Sequence, residues 1–221
     1  WSVEILSPNL NAFPLIINLL KKYISIIHQK QKIYVIIIKR GKNMYFSRKC
    51  KITYICHGAT IYSDEFRFSD VENYPPITEN GYEEMERICD YLRKRGVKND
   101  KIYSSPATRC LQSAKMVAKV YKKDFDIIEN LKTRKCGSFN GKSFEQLEFE
   151  APDLLQRLIS EPDKKTPEDA ESVSEFIIRV GKEIEAIVDK NEGNRIIIVT
   201  HPDVIKAAIC DALNIPHSSL Q

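Results

Sequence analysis

Two histidines and an arginine lie close behind three short apolar segments that have the pattern of β-strands. His57 follows residues 51–56, His201 follows residues 195–200, and Arg109 comes shortly after residues 101–104, early in a predicted helix. A histidine behind one strand is more often a structural residue. Because the carboxyl ends of parallel strands meet at one edge of a sheet, we expect these three side chains to converge on one pocket.

Together, these residue types suit the transfer of a phosphoryl group. A neutral imidazole can attack phosphorus and form a covalent intermediate. An arginine fork matches phosphate oxygens in pairs, and a second imidazole can donate to the phosphoryl oxygens. Gly58, beside the first histidine, leaves room for backbone and substrate to approach. This chemistry requires no metal and no other cofactor, and a metal site, the alternative, lacks a third ligand at a recognisable spacing.

The rest of the chain supplies alternating strands and helices that would position these side chains. The continuous apolar run at 195–199 suits a sheet that is covered on both faces. Residue patterns predict the other strands at 51–56, 101–104 and 126–130, and helices from Thr78 to about Arg95, from Pro106, and over 144–147, 153–160, 172–189 and 204–213. The alternation predicts an α/β fold, a three-layer α/β/α sandwich with a mostly parallel central sheet.

Composition excludes several other classes of protein. Of the 221 residues, 43% are hydrophobic and 29% are charged, as in ordinary globular chains. The net charge of +4 comes from residues 1–43, which hold seven Lys and Arg and one Glu, so a nucleic-acid partner is not predicted. No apolar run approaches the ~20 residues that cross a membrane. The six cysteines form no C-x-x-C pair, and we expect a reduced, cytoplasmic protein.

Residues 1–43 differ from the rest of the chain. Ile, Lys, Asn and Tyr fill 22 of these positions, and purine-rich codons could encode the residues just before Met44. Our hypothesis is that 1–43 are translated upstream sequence, that Met44 is the natural start, and that 44–221 form the domain. The alternative is a genuine extension, with an amphipathic helix at 11–31 and a strand at 32–39 paired with 45–55.

Five segments of the chain resemble the sequence blocks of the histidine phosphatase superfamily, also called phosphoglycerate-mutase-like, in the right order. The most specific is Ser104-Ser105-Pro106-Ala107-Thr108-Arg109, which is similar to the family's Ser-Ser-Pro-x-x-Arg block. The others are residues 54–60, 76–81, 137–141 and 199–207. The resemblance implies the fold predicted above. Since the family usually continues into another strand after Pro216, it also implies that Gln221 ends a truncated domain.

The resemblance also assigns roles to individual residues. His57 would be the phosphorylated nucleophile, and Arg109 and His201 would hold the phosphate. Gly58, Thr60 and Arg67 would bind substrate, although Arg67 could equally be a surface charge.

Three positions depart from the family pattern. Cys56 replaces the arginine before the nucleophile, and it is either a small buried strand residue or a reactive thiol. Thr133 replaces the glutamate that donates a proton in the family. Pro202 replaces a glycine, and Asp203 comes one residue later. Asp203 is either a substitute acid or, as we favour, the cap of the following helix.

These residues predict a metal-independent phosphohydrolase that works through a phosphohistidine intermediate. The substrate would be a small phosphomonoester or a phosphohistidine. Because Thr133 cannot donate a proton as a glutamate does, the reaction rate would fall least for leaving groups that need no proton. The alternative is a catalytically impaired member that binds phosphorylated ligands or partners. A phosphoglycerate-type mutase is less well supported, because it too would need the missing acid. The sequence predicts no oligomeric state.

Overall fold

The computed structural model describes residues 2–6, 33–38, 50–70, 75–161 and 163–213, and these build one six-stranded sheet with helices. The strands are β1 (Ser2–Leu6), β2 (Ile33–Ile38), β3 (Cys50–Cys56), β4 (Lys101–Ser104), β5 (Asp126–Ile127) and β6 (Arg195–Thr200). Their order across the sheet is β1-β2-β3-β6-β4-β5. The four strands β3, β6, β4 and β5 are parallel, whereas β2 pairs antiparallel with β3 and β1 pairs antiparallel with β2.

Seven helices lie in the described part of the chain. They are α1 (Ile61–Asp64), α2 (Glu79–Lys94), α3 (Thr108–Tyr121), α4 (Phe144–Glu150), α5 (Pro152–Ser160), α6 (Val173–Lys190) and α7 (Pro202–Leu213). Thr78 caps α2 by accepting a hydrogen bond from the Gly81 N–H at 3.2 Å, and Ser172 caps α6 in the same way. None of these helices is long and apolar enough to span a membrane.

Two apolar clusters cover the two faces of the central strands. Successive β6 residues point to opposite faces, so that Ile196 and Ile198 join one cluster and Ile197 and Val199 join the other. The first cluster includes side chains of α6 and α7, and the second includes side chains of α2 and α3. Each fully buried isoleucine contributes ~1.5–3 kcal/mol. The predicted three-layer α/β/α fold with a mostly parallel sheet is confirmed.

The strand register brings the ends of the central strands together. Cys56 of β3 lies opposite Thr200 of β6, and Ser104 of β4 lies opposite Val199. His57, Ser105 and His201 are the residues that follow these strands. The register therefore places all three at one edge of the sheet.

Some predicted element boundaries were wrong, and α7 begins at Pro202 rather than at Val204. α3 begins at Thr108 rather than at Pro106, because Ala107 has an extended backbone and forms the N-cap. The strand predicted at 126–130 contains only Asp126–Ile127, and a 3₁₀ turn follows at Glu129–Leu131.

The N-terminal hypothesis stays a prediction. β2 pairs antiparallel with β3, with Ile38 opposite Cys50 and Ile33 opposite Ile55, which is the kind of pairing that a genuine extension predicts. The helix predicted at 11–31, the proposed start at Met44 and the chain end after Pro216 lie outside the described residues.

Candidate active site

The two histidine rings lie side by side at the carboxyl edge of the sheet. Their centroids are 5.3 Å apart, and the planes meet at 69°. The backbone N–H of His57 donates to the Thr200 carbonyl at 3.1 Å and extends the pairing of β3 with β6 by one residue. Sheet pairing, rather than a flexible loop, therefore positions the first histidine.

The hydrogen bonds of His57 define which ring nitrogen carries the proton. Its Nδ1 lies 2.8 Å from the Gly58 carbonyl oxygen, which can only accept, so Nδ1 holds the proton and donates. Arg109 Nε donates to His57 Nε2 at 3.3 Å. The lone pair of Nε2 therefore accepts from the guanidinium, a group that binds oxyanions.

Arg109 is a buried cation with an unused donor. It is the second residue of α3, its side chain is 2% exposed, and its Nη1 has no hydrogen-bond partner among the described residues. A buried charged donor that lacks a partner is costly unless a ligand satisfies it. The natural ligand for a guanidinium is an oxyanion such as phosphate.

His201 is held in the interior by polar neighbours. It is 1% exposed, its Nε2 lies 2.8 Å from Ser105 Oγ, and Cys110 Sγ lies 3.5 Å from the same nitrogen. Burial lowers the pKa of His201 well below 6.5, and the nearby charges of Arg109, His57 and Arg179 lower it further. At neutral pH the ring is therefore uncharged and carries one N–H.

Gly58 allows a close approach between two backbone segments. A Cβ at this position would lie 2.4 Å from the Gly81 carbonyl oxygen, in the first turn of α2. The Gly58 N–H donates to Ser113 Oγ at 3.1 Å, and Ser113 in turn donates to the Arg109 carbonyl at 2.8 Å. The glycine thus lets α2 and α3 support the loop that carries His57.

The other two predicted substrate-binding residues, Thr60 and Arg67, form contacts with nearby protein groups. Thr60 caps α1, since its Oγ1 accepts from the Ser63 N–H at 3.2 Å. Arg67 pairs with Glu65 at 2.5 Å and donates to the Gly141 carbonyl at 2.9 Å. It lines a groove of about 800 Å³ between residues 65–68 and 143–146. Their contact with substrate stays a prediction.

The three departures from the family pattern occupy different surroundings. Cys56 is 5% exposed at the end of β3, and none of the six cysteines, all of which are described, forms a disulfide. Thr133 Oγ1 donates to Asp203 Oδ2 at 2.5 Å. α7 begins at Pro202, so Asp203 is its second residue and not the N-cap. Asp203 Oδ1 nevertheless accepts from the Val204 N–H at 2.9 Å.

Two serines that were not predicted from the sequence form hydrogen bonds within the site. Ser105 contacts His201, and Ser113 contacts Gly58. Ser113 lies four residues after Arg109 and therefore on the same face of α3, a spacing that could have revealed it. Ser105 lies within the Ser-Ser-Pro block and directly after β4. This position at the carboxyl end of a strand could have identified it as a site residue.

The fold and this cluster define a phosphoglycerate-mutase-like α/β domain. Residues 52–221 match the model of the histidine phosphatase superfamily, branch 1, and the chain belongs to that family.

Curated relatives carry phosphatase and mutase-like names. The chain is 27% identical to the metal-independent phosphoserine phosphatase of Arabidopsis thaliana over 73% of its length and 68% of the relative's. It is 26% identical to phosphoglycerate mutase-like protein 4 of the same plant, over 71% and 68%. A bifunctional protein of Mycobacterium tuberculosis is 27% identical over 72% of this chain, which spans 43% of that relative's length.

Solved structures share the fold. YhfR of Bacillus stearothermophilus superposes with a TM-score of 0.70 at 24% identity, over 77% of this chain and 83% of that one. The phosphoserine phosphatase of Entamoeba histolytica, in complex with 3-phosphoglyceric acid, superposes with a TM-score of 0.67 at 24% identity, over the same shares.

Proposed function

We propose that this protein is a phosphohydrolase that transfers a phosphoryl group from a small phosphomonoester to His57 and then to water. The observation that carries the proposal is the pairing of His57 Nε2 with Arg109, a buried guanidinium whose Nη1 lacks a partner among the described residues. A candidate nucleophile and an oxyanion-binding group are thus in direct contact. The phosphatase names of the curated relatives support the same class of reaction.

In the first step, the lone pair of His57 Nε2 attacks phosphorus and the bond from phosphorus to the leaving oxygen breaks. The hydrogen bond from Nδ1 to the Gly58 carbonyl keeps the ring in the reactive tautomer and stabilises the charge that it gains. Arg109 neutralises the phosphoryl oxygens. His201, uncharged because it is buried, donates its N–H without adding a charge to the pocket.

The leaving group departs without a carboxylic acid at position 133. A phenolate or an imidazole leaves readily, whereas an alkoxide needs a proton, and general acid catalysis contributes ~100- to 10,000-fold. We therefore propose that the preferred substrates are aryl phosphates or phosphohistidine. Phosphoserine, the substrate named for several relatives, would then be a slow substrate here.

A second candidate function is the binding of phosphorylated ligands without turnover. The observation that favours it is the loss of two family side chains, since Cys56 and Thr133 stand in place of an arginine and a glutamate. Arg109 and His201 would still hold an anion in such a protein. The mutase is less well supported, because it must transfer the phosphoryl group back to an alkyl oxygen.

The decisive experiment is turnover of 4-nitrophenyl phosphate in a buffer with EDTA and no added metal. Wild type and His57→Ala are compared, and samples quenched in alkaline denaturant, in which phosphohistidine is stable, are analysed for phosphate attached to His57. Turnover and labelling that disappear in His57→Ala would support the phosphohydrolase. Anion binding by both proteins, measured calorimetrically with vanadate, without turnover by either, would support the binding function instead.

A comparison of turnover rates with two substrates tests the importance of the leaving group. We expect the rate with 4-nitrophenyl phosphate to exceed the rate with phosphoserine by ~100-fold or more, and Thr133→Glu to narrow the gap. Equal rates on both substrates would show that another residue supplies the proton.

A further inference from the structure

A carboxylate lies beside position 133, although it comes from a different element. Asp203 is the second residue of α7, two residues after His201, and its Oδ2 is 2.5 Å from Thr133 Oγ1. Thr133 stands where the family resemblance places a glutamate. The fold has therefore brought an aspartate to the place from which a carboxylic acid side chain is missing.

The hydrogen bonds of Asp203 show what it offers to the site. Oδ2 accepts from the Thr133 hydroxyl and from the Arg134 backbone N–H at 3.0 Å, and Oδ1 accepts from the Val204 N–H. No ion pair to Asp203 occurs in the described part of the chain. These three hydrogen bonds hold both carboxylate oxygens at the start of α7, against residues 133–134.

Asp203 also lies close to the phosphate pocket. His201, two residues before Asp203 in the chain, packs edge to face against His57. Cys110 Sγ lies 3.5 Å from His201 Nε2, and the pKa of that thiol is raised by burial above all, with a smaller effect in the same direction from the Asp203 charge. The carboxylate is half-buried, so that water from solvent can reach it.

We propose that Asp203 is the general base of the second half-reaction, in which water attacks the phosphohistidine. This rests on the proposed function. The water oxygen forms a bond to phosphorus while the bond from His57 Nε2 to phosphorus breaks and returns its electron pair to the ring. Asp203 takes the proton that the water loses and passes it, through solvent, to the departed phenolate. Inorganic phosphate is the product.

The two half-reactions then differ in whether a carboxylate takes part. The first step proceeds without an acid and therefore selects good leaving groups, and the second is assisted by the carboxylate. The two steps should consequently respond differently to a change at position 203.

The test is a burst experiment with 4-nitrophenyl phosphate and the variant Asp203→Asn. The amide oxygen can still accept from Thr133 and Arg134 but is not basic. We expect a burst of about one 4-nitrophenolate per protein at close to the wild-type rate, then steady turnover reduced ~100-fold or more, with phosphorylated His57 accumulating in quenched samples. Asp211→Asn, an exposed acid on the same helix, is the matched control and should behave as wild type.

Two results would overturn the proposal in different ways. If Asp203→Asn slows the burst as much as the steady phase, or leaves both unchanged, Asp203 is not the base of the second step. If the wild type forms no phosphohistidine while it turns over substrate, the proposed function fails and this inference falls with it.

A second pair of variants separates chemistry from folding. Asp203→Ala removes the carboxylate, and formate, a small exogenous base, should raise its steady turnover at least tenfold but leave wild type unchanged. Thr133→Val removes a hydrogen bond to Asp203 but keeps the carboxylate, and we expect less than a tenfold loss. No rescue by formate, together with an equal loss in Thr133→Val, would show that Asp203 only holds the 133–134 segment.

Discussion

Arg109 Nε donates a hydrogen bond to His57 Nε2 at 3.3 Å, across 52 residues of sequence. Through this contact the lone pair of His57 Nε2 faces a guanidinium whose Nη1 has no hydrogen-bond partner in the described residues. The imidazole and the buried guanidinium are therefore direct neighbours, as the proposed phosphoryl transfer requires.

Replacing the buried arginine should separate stability from ligand binding. Arg109→Met keeps the length of the side chain but removes a charged donor that lacks a partner, so we expect the free energy of unfolding in phosphate-free buffer to rise by ~1–3 kcal/mol. Phosphate at 100 times its Kd should stabilise wild type by about 2.7 kcal/mol and leave the variant unchanged. Urea denaturation with and without phosphate measures both. Arg87→Met, at an exposed position on α2, is the control, and equal stabilisation of Arg109→Met by phosphate would contradict the site.

Restoring an arginine before the nucleophile should strengthen phosphate binding. A charge-assisted contact contributes ~1.5–3 kcal/mol, so Cys56→Arg should bind phosphate ~10-fold or more tightly and turn over faster. The position is buried, and overpacking should lower the free energy of unfolding by ~1–3 kcal/mol.

Calorimetry with phosphate, turnover and thermal unfolding together test this variant. Cys56→Met adds bulk without charge and should lose stability without gaining affinity. A folded Cys56→Arg protein with unchanged affinity and rate would mean that Cys56 belongs to a rebuilt site, and a thiol or binding role would then be favoured.

Stability should depend on pH through His201. Its pKa is lowered in the folded chain by burial, whereas in the unfolded chain the ring binds a proton near pH 6.5. Below that pH the unfolded state holds more protons, so the free energy of unfolding should fall as pH falls, by up to about 1.4 kcal/mol per pH unit. Above it, His201 adds no slope.

The measurement is urea denaturation at several values between pH 5 and pH 8. His201→Gln should show a flatter profile than wild type below pH 6.5 and a parallel one above. Profiles that stay parallel over the whole range would mean that folding does not lower the pKa of His201.

The approach of α2 to the nucleophile loop should make Gly58 intolerant of a side chain. The Cβ of Gly58→Ala would lie 2.4 Å from the Gly81 carbonyl oxygen, which is backbone and cannot rotate away. We expect a loss of ~1–3 kcal/mol in the free energy of unfolding and a fall in activity as His57 shifts.

Gly181→Ala is the matched control, since its Cβ would meet only the flexible carboxylate of Asp211 at 3.3 Å. Within a helix this change should stabilise by ~0.5–1 kcal/mol. A Gly58→Ala protein as stable and active as wild type would show that the loop does not need this contact.

Local patterns in the sequence determined the elements and the three principal site positions. The continuous apolar run within Arg195–Thr200 predicts a strand that is buried on both faces. The structure has that strand. Thr78 marks a helix start through its hydroxyl, which accepts from a free backbone N–H, and α2 begins one residue later. The positions of His57 and His201 follow from the rule that parallel strands end at one edge.

The tertiary structure decided the contacts between segments that are distant in the chain. The bond between Thr133 and Asp203 joins positions 70 residues apart, and the one between Ser105 and His201 joins positions 96 apart. Each depends on how α7 and β4 pack against neighbouring segments, which no periodicity of a single segment encodes. Asp203 is an example. In the sequence it is an aspartate near the start of a helix. It becomes a partner of Thr133 only because the first turn of α7 lies against residues 133–134.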